Sequence, residues 1–169
     1  MDLFGKSPRP TFNDDMLVLL SEEIGKEICQ WNSDGTSLAN CVEDARDILK
    51  RNHYQNGYDL AKEFEDKGYS PDAQLVEILD SVDYSKIALV TKSVKKWVIE
   101  DKIEPPFEIL TKVIVQYGHK KVEGTITNFH KETAEYLVCI ESEGHSIDGS
   151  TRAVIKYENA ETQTEQINK

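Results

Sequence analysis

From Asn13 to Lys102 the apolar residues recur every three or four positions, and from Phe107 to Tyr157 they alternate. The first period is that of a helix with one buried face, the second that of a strand with one buried side. Leu17, Leu20, Ile24, Ile28 and Trp31 predict a first helix, started by the capping side chain of Asn13 and by two carboxylates, Asp14 and Asp15. Leu38, Cys41, Val42, Ala45, Ile48 and Leu49 predict a second, behind the turn NSDGTS, with Ser37 as its cap. Leu60, Ala61 and Phe64 predict a shorter one over 57–67 that stops at Gly68. Ser70-Pro71-Asp72 opens a fourth carrying Leu75, Val76, Ile78, Leu79 and Val82, with Pro71 at its first helical position. Ile87, Val90, Val94, Trp97 and Val98 line a fifth over about 83–102. About five helices with short connections predict a small helical bundle.

Glu104-Pro105-Pro106 ends the helical pattern, because proline lacks the amide donor and pushes its predecessor toward extended geometry. Strand-like runs follow at 111–117, 121–129, 134–141 and 151–158, with gaps short enough for successive hairpins. The expected fold class is α+β, an N-terminal helical bundle followed by a small antiparallel β-barrel. The expected organisation is a flexible arm at 1–12, the bundle at 13–103, a linker at 104–106, the barrel at 107–160 and a disordered polar tail at 161–169. Alternation turns Val113, Val115, Ile126, Tyr136, Val138, Ile140 and Ile155 inward, and Ile114, Phe129, Leu137, Cys139 and Val154 outward.

The segment VIVQYGHKKVEGTITNFHKETAEYLVCI resembles the start of an SH3-like small barrel of the KOW or Tudor type. The resemblance rests on Val113-x-Val115, a turn, Gly124-x-Ile126, a turn, and Tyr136-x-Val138, with Leu110 where many such units carry a turn glycine. Domains of this kind bind RNA, other proteins or methylated side chains, so the resemblance implies a binding module.

Charge narrows the partners. The net charge is −11, with 13 Lys and Arg against 20 Asp and Glu in residues 1–103, and 7 against 11 in residues 104–169. Neither part offers the basic footprint that phosphate contacts need, which argues against direct nucleic-acid binding. The longest apolar runs, MLVLL at 16–20 and IALV at 87–90, are too short to span a membrane, and the N-terminal residues have no secretory leader pattern. With three cysteines and no CxxC pair, the chain reads as a cytoplasmic protein with reduced thiols.

Candidate chemistry is sparse. His119 and His145 fall in the first and third turns of the meander, at one end, and His130 falls at the other. Without an HxH or HxxxH pair they read as turn histidines, the sharper alternative being a pair that titrates near about pH 6.5. NSDGTS at 32–37 and SIDGST at 146–151 miss the ligands that a calcium loop requires, so no metal or cofactor is expected. There is no GxSxG elbow or Walker loop, and no catalytic residue is assigned. Lys92, Lys95 and Lys96, with Lys86 and Trp97 nearby, form a basic cluster, read as a solvated face or a dock for an acidic partner.

The function expected is that of a non-catalytic protein-binding adaptor or inhibitor, which meets a protein partner or a second copy of itself. The site expected for that contact comprises Phe129, Leu137 and Val154 on the barrel, with His119 and His145 in its turns. The acidity supports a second reading, a nucleic-acid mimic like some phage-encoded inhibitors, blocking a nucleic-acid enzyme. A small hydrolase is the third.

Overall fold

A computed structural model describes residues 6–51, 56–147 and 149–162. Two compact units divide the chain: Thr11–Lys92, and Met1–Pro10 together with Ser93–Lys169. No described helix is long and apolar enough to cross a membrane.

In the helical unit, α1 spans Asp14–Trp31, α2 Leu38–Arg51, α3 Gly57–Asp66 and α4 Ala73–Asp80. Four helices thus lie wholly inside it, where the sequence suggested about five. The remaining helix, α5 (Val82–Glu100), starts in this unit and passes into the other at Ser93. The caps are local chemistry. Asn13 Oδ1 accepts from Met16 N at 3.0 Å, Asn56 Oδ1 from Asp59 N at 2.9 Å and Asp72 Oδ1 from Leu75 N at 3.0 Å. Because Asp72 takes the cap, α4 begins at Ala73 and Pro71 precedes it rather than occupying its first turn. Leu20, Ile24, Ile28, Cys41, Ala45, Ile48, Phe64, Leu75 and Leu79 form one buried core. The apolar stripe of α5 is only partly buried: Val94 and Trp97 are 5% exposed, but Ile87 is 62% exposed.

In the second unit five strands follow α5: β1 Lys112–Tyr117, β2 Lys120–His130, β3 Glu135–Cys139, β4 Ala153–Lys156 and β5 Ala160–Glu161. They form one antiparallel sheet in the order β4-β3-β2-β1-β5, curled into a half-barrel. The inward set named from alternation is buried throughout. Glu104–Pro106, where the sequence places a linker, lies within this unit. Of the arm read at 1–12, residues 1–5 lie outside the described residues, and residues 6–10 belong with this unit. Trp97 Nε1 donates to Ser7 O at 3.0 Å, and the Ser7 hydroxyl bonds Asp101. Of the tail read at 161–169, Glu161 pairs in β5, and residues 163–169 lie outside the described residues.

Candidate functional site

The register of β3 decides which side chains share the outer face of the sheet. Leu137 pairs with Val154 on one side and Asn128 on the other, and Glu135 pairs with Lys156 and His130. Paired residues point to the same face. The outer face of β2-β3-β4 is therefore a half-buried Leu137 beside Val154, 57% exposed, bordered by Asn128, His130, Glu135 and Lys156.

Phe129 does not join them. The ladder slips between Ile126 and Asn128, a bulge that reverses the alternation, so Phe129 pairs with the buried Tyr136 at the end of the inner face. Thr127, the extra residue, donates its hydroxyl to Leu137 O at 3.0 Å. Cys139, expected outward, is 2% exposed, because the turn at Glu141–Glu143 follows directly and packs against β2. Ile114 is set apart, flanked by Glu123 and Glu161 on the neighbouring strands.

The two turn histidines take different roles. The His145 ring meets Tyr117 edge-on with centroids 6.2 Å apart, which brings the third connection to the end of the sheet that holds the first turn. Lys120 and Glu143, 2.5 Å apart, bridge the same two segments. His145 Nδ1 accepts from Ile140 N at 3.3 Å, so the neutral ring carries its proton on Nε2. His119 is exposed in the β1–β2 turn.

Arg152 was not singled out by any sequence motif, yet it organises the third connection. Its guanidinium donates to Thr127 Oγ1 at 2.8 Å and to the carbonyls of Ser146, Ile147 and Thr151 at 2.9, 2.6 and 2.7 Å. Asp148, in the middle of SIDGST, lies outside the described residues.

Two further features bear on chemistry. A cleft of about 320 Å³ lies over Thr125 and Cys139, edged by Lys112, Glu123, Glu141 and Ser142. Lys112 and Glu123 pair across it at 3.4 Å. Among the described residues, no three His, Cys, Asp or Glu side chains come together as a metal site. The basic cluster on α5 is partly neutralised, by Lys95 with Glu132 at 2.6 Å and Lys96 with Glu100 at 3.7 Å. The Lys95 ammonium holds the Glu132 carboxyl below its ordinary pKa.

The backbone adds one more property to the Leu137–Val154 pair. β4 pairs only with β3 among the described strands, so its other side is an edge. Tyr157 N donates to Ala134 O, which fixes the alternation of the ladder. By that alternation the amide and carbonyl of Val154 and of Lys156 point away from β3. Comparison with protein-family models, with curated proteins and with solved structures returned no match.

Proposed function

We propose that the protein is a non-catalytic protein-binding adaptor or inhibitor, and that its second unit is an SH3-like small barrel that takes an extended segment of a protein partner along β4. The observation that carries this reading is the edge position of β4, with Val154 more than half exposed beside Leu137. The strand order, with β1 between β2 and β5, and the single 3-10 turn at Tyr157–Asn159 before β5 support the barrel reading. An added strand satisfies the outward amides of Val154 and Lys156 and lays alternate side chains on Leu137 and Val154. The Glu135–Lys156 pair at the border favours a partner segment with apolar residues at alternate positions and mixed charge beside them.

Val154→Pro tests the reading. Proline removes the outward amide and leaves the β3–β4 hydrogen bonds in place, as it does on natural edge strands. Extended peptides selected on the immobilised chain should lose binding to this variant while its melting temperature stays close to that of the parent. Selected peptides that bind both proteins equally, or a selection that yields none, would overturn the reading. Leu137→Asp supplies the side-chain arm of the same test, read by light scattering for self-association.

A further inference from the structure

Cys29 and Cys41 form a contact that the proposed docking does not use. Cys29 sits near the end of α1, half-buried, and Cys41 sits in the first turn of α2, fully buried. The two helices form a hairpin through the turn at Asn32–Ser37, and a glycine lets them touch. A Cβ added at Gly25 would lie 2.7 Å from Val42 Cα, so the backbones meet there directly. Cys29 is one helical turn beyond Gly25 on the same face of α1, and Cys41 adjoins Val42. The Cys29 thiol is a near enough neighbour to help push the Cys41 thiol above its ordinary pKa, after burial, the larger cause.

The surroundings give the two sulfurs different roles. Cys29 Sγ donates to Thr36 O at 3.7 Å beside the turn, and the residue is only partly buried, unlike Cys41. Cys41 Sγ lies 3.8 Å from Tyr69 Oη, whose hydroxyl donates to Asp44 Oδ2 at 2.9 Å. Burial pushes the Cys41 thiol above its ordinary pKa, which keeps it protonated and unreactive toward reagents in solution.

We propose that Cys29 and Cys41 are a redox modification site, a dithiol that hydrogen peroxide closes into a disulfide locking α1 to α2. The Cys29 sulfur attacks one peroxide oxygen, the O–O bond breaks, and the leaving hydroxide takes the thiol proton as water. Cys41 then attacks the Cys29 sulfenic acid: the S–S bond forms, the S–O bond breaks, and the hydroxyl leaves with the Cys41 proton as a second water. Two thiols are oxidised and one hydrogen peroxide is reduced to two waters. The backbones of α1 and α2 approach closely one turn away, at Gly25 and Val42, and closing the bond requires the Cα atoms of Cys29 and Cys41 to stand within about 7 Å.

The test uses the full chain, treated with hydrogen peroxide and then alkylated in denaturant. Alkylatable thiols should fall from three to one, mass spectrometry should find the Cys29 and Cys41 peptides joined, and dithiothreitol should restore all three. The oxidised chain should melt several degrees higher than the reduced one. Cys139→Ser should fall from two thiols to none, and Cys29→Ser should keep both of its thiols. A linkage through Cys139, a chain that keeps three thiols, or a sulfinic acid on Cys29 with Cys41 untouched would each overturn the proposal. The Cys139→Ser result stands even if a substitution at the buried Cys41 impairs folding.

Discussion

Arg9 and Glu158 lie 149 positions apart in the chain, and their side chains meet in two hydrogen bonds, Nε to Oε1 at 2.6 Å and Nη2 to Oε2 at 3.1 Å. The same guanidinium donates to the carbonyls of Thr133 and Ala134 at 2.7 Å each and lies over the Trp97 ring, 5.3 Å from its centroid. The Arg9 side chain is 8% exposed and that of Glu158 19%. A planar fork engaged on all sides is a role that lysine cannot fill.

Removing one partner of so enclosed a pair strands the other. Arg9→Ala should destabilise the second unit by about 3 kcal/mol, with Glu158→Ala costing somewhat less because its carboxylate reaches water. In urea denaturation the double variant should cost clearly less than the sum of the two. Strict additivity would show that the two side chains do not cooperate.

Leu110 holds φ at +71° and is 69% exposed. Its amide donates to Ile126 O at 2.8 Å, which keeps the turn in this left-handed form. Its side chain is mostly in water, so Leu110→Gly removes strain and loses little packing. The variant should gain about 0.5–1 kcal/mol, the left-handed cost of a side chain less the extra freedom of glycine in the unfolded chain. A lower melting temperature would contradict this.

The Tyr136 and Tyr157 rings pack together tilted by 41°, with centroids 4.4 Å apart. Tyr136 Oη accepts from Phe107 N at 2.7 Å, whereas Tyr157 Oη is buried without a hydrogen-bond partner among the described residues. Burial pushes both hydroxyls up to about 12 from the ordinary 10.0. The unfolded chain therefore releases these protons first. Their contribution to stability is intact below pH 10, and it is lost as the pH climbs from there toward 12. Tyr157→Phe removes a buried hydroxyl that has no hydrogen-bond partner among the described residues, so its stability near neutral pH should equal the parent's or exceed it by about 1 kcal/mol. Its stability should also fall less steeply between about pH 9 and about pH 11 in urea titrations. A large loss at neutral pH would show that the hydroxyl is paired after all.

Gly25→Ala places a methyl 2.7 Å from both Val42 Cα and Val42 Cγ2. The backbone of α2 has to move, at a cost of about 1–3 kcal/mol. The same variant should form the Cys29–Cys41 disulfide more slowly, because the helices are pushed apart one turn away. An unchanged melting temperature would place the closest approach of α1 and α2 elsewhere.

The sequence made the helices and the inner face of the sheet legible because both rest on period and burial. Val113, Val115, Ile126, Tyr136 and Val138 alternate, and all are buried. Phe129 defeated the same rule, since a one-residue bulge at Thr127 shifts parity and no residue type in TITNFH announces it. Ile87 fits the helical stripe of α5 but stays exposed, because period identifies a face without saying whether anything covers it. β5 is two residues long, too short to show alternation. Arg9 and Arg152 act through long-range bonds to backbone carbonyls, which leave no trace in local spacing. Of the proposed docking face, Leu137 and Val154 are readable as outward positions, but the edge position of β4 among the described strands depends on strand order.

The segment that carries Arg9 also sets the order in which the protein can be completed during synthesis. The helical unit, Thr11–Lys92, is encoded between two stretches that belong to the other unit. A ribosome that has released Lys92 has delivered every residue of the helical unit, which is free to fold at once. Ser7 and Arg9 emerge earlier still but find their partners later: Ser7 waits for Trp97 and Asp101, and Arg9 for Thr133, Ala134 and finally Glu158. A nascent chain stopped before Glu158 therefore carries an arginine that is already synthesised and has no carboxylate to meet.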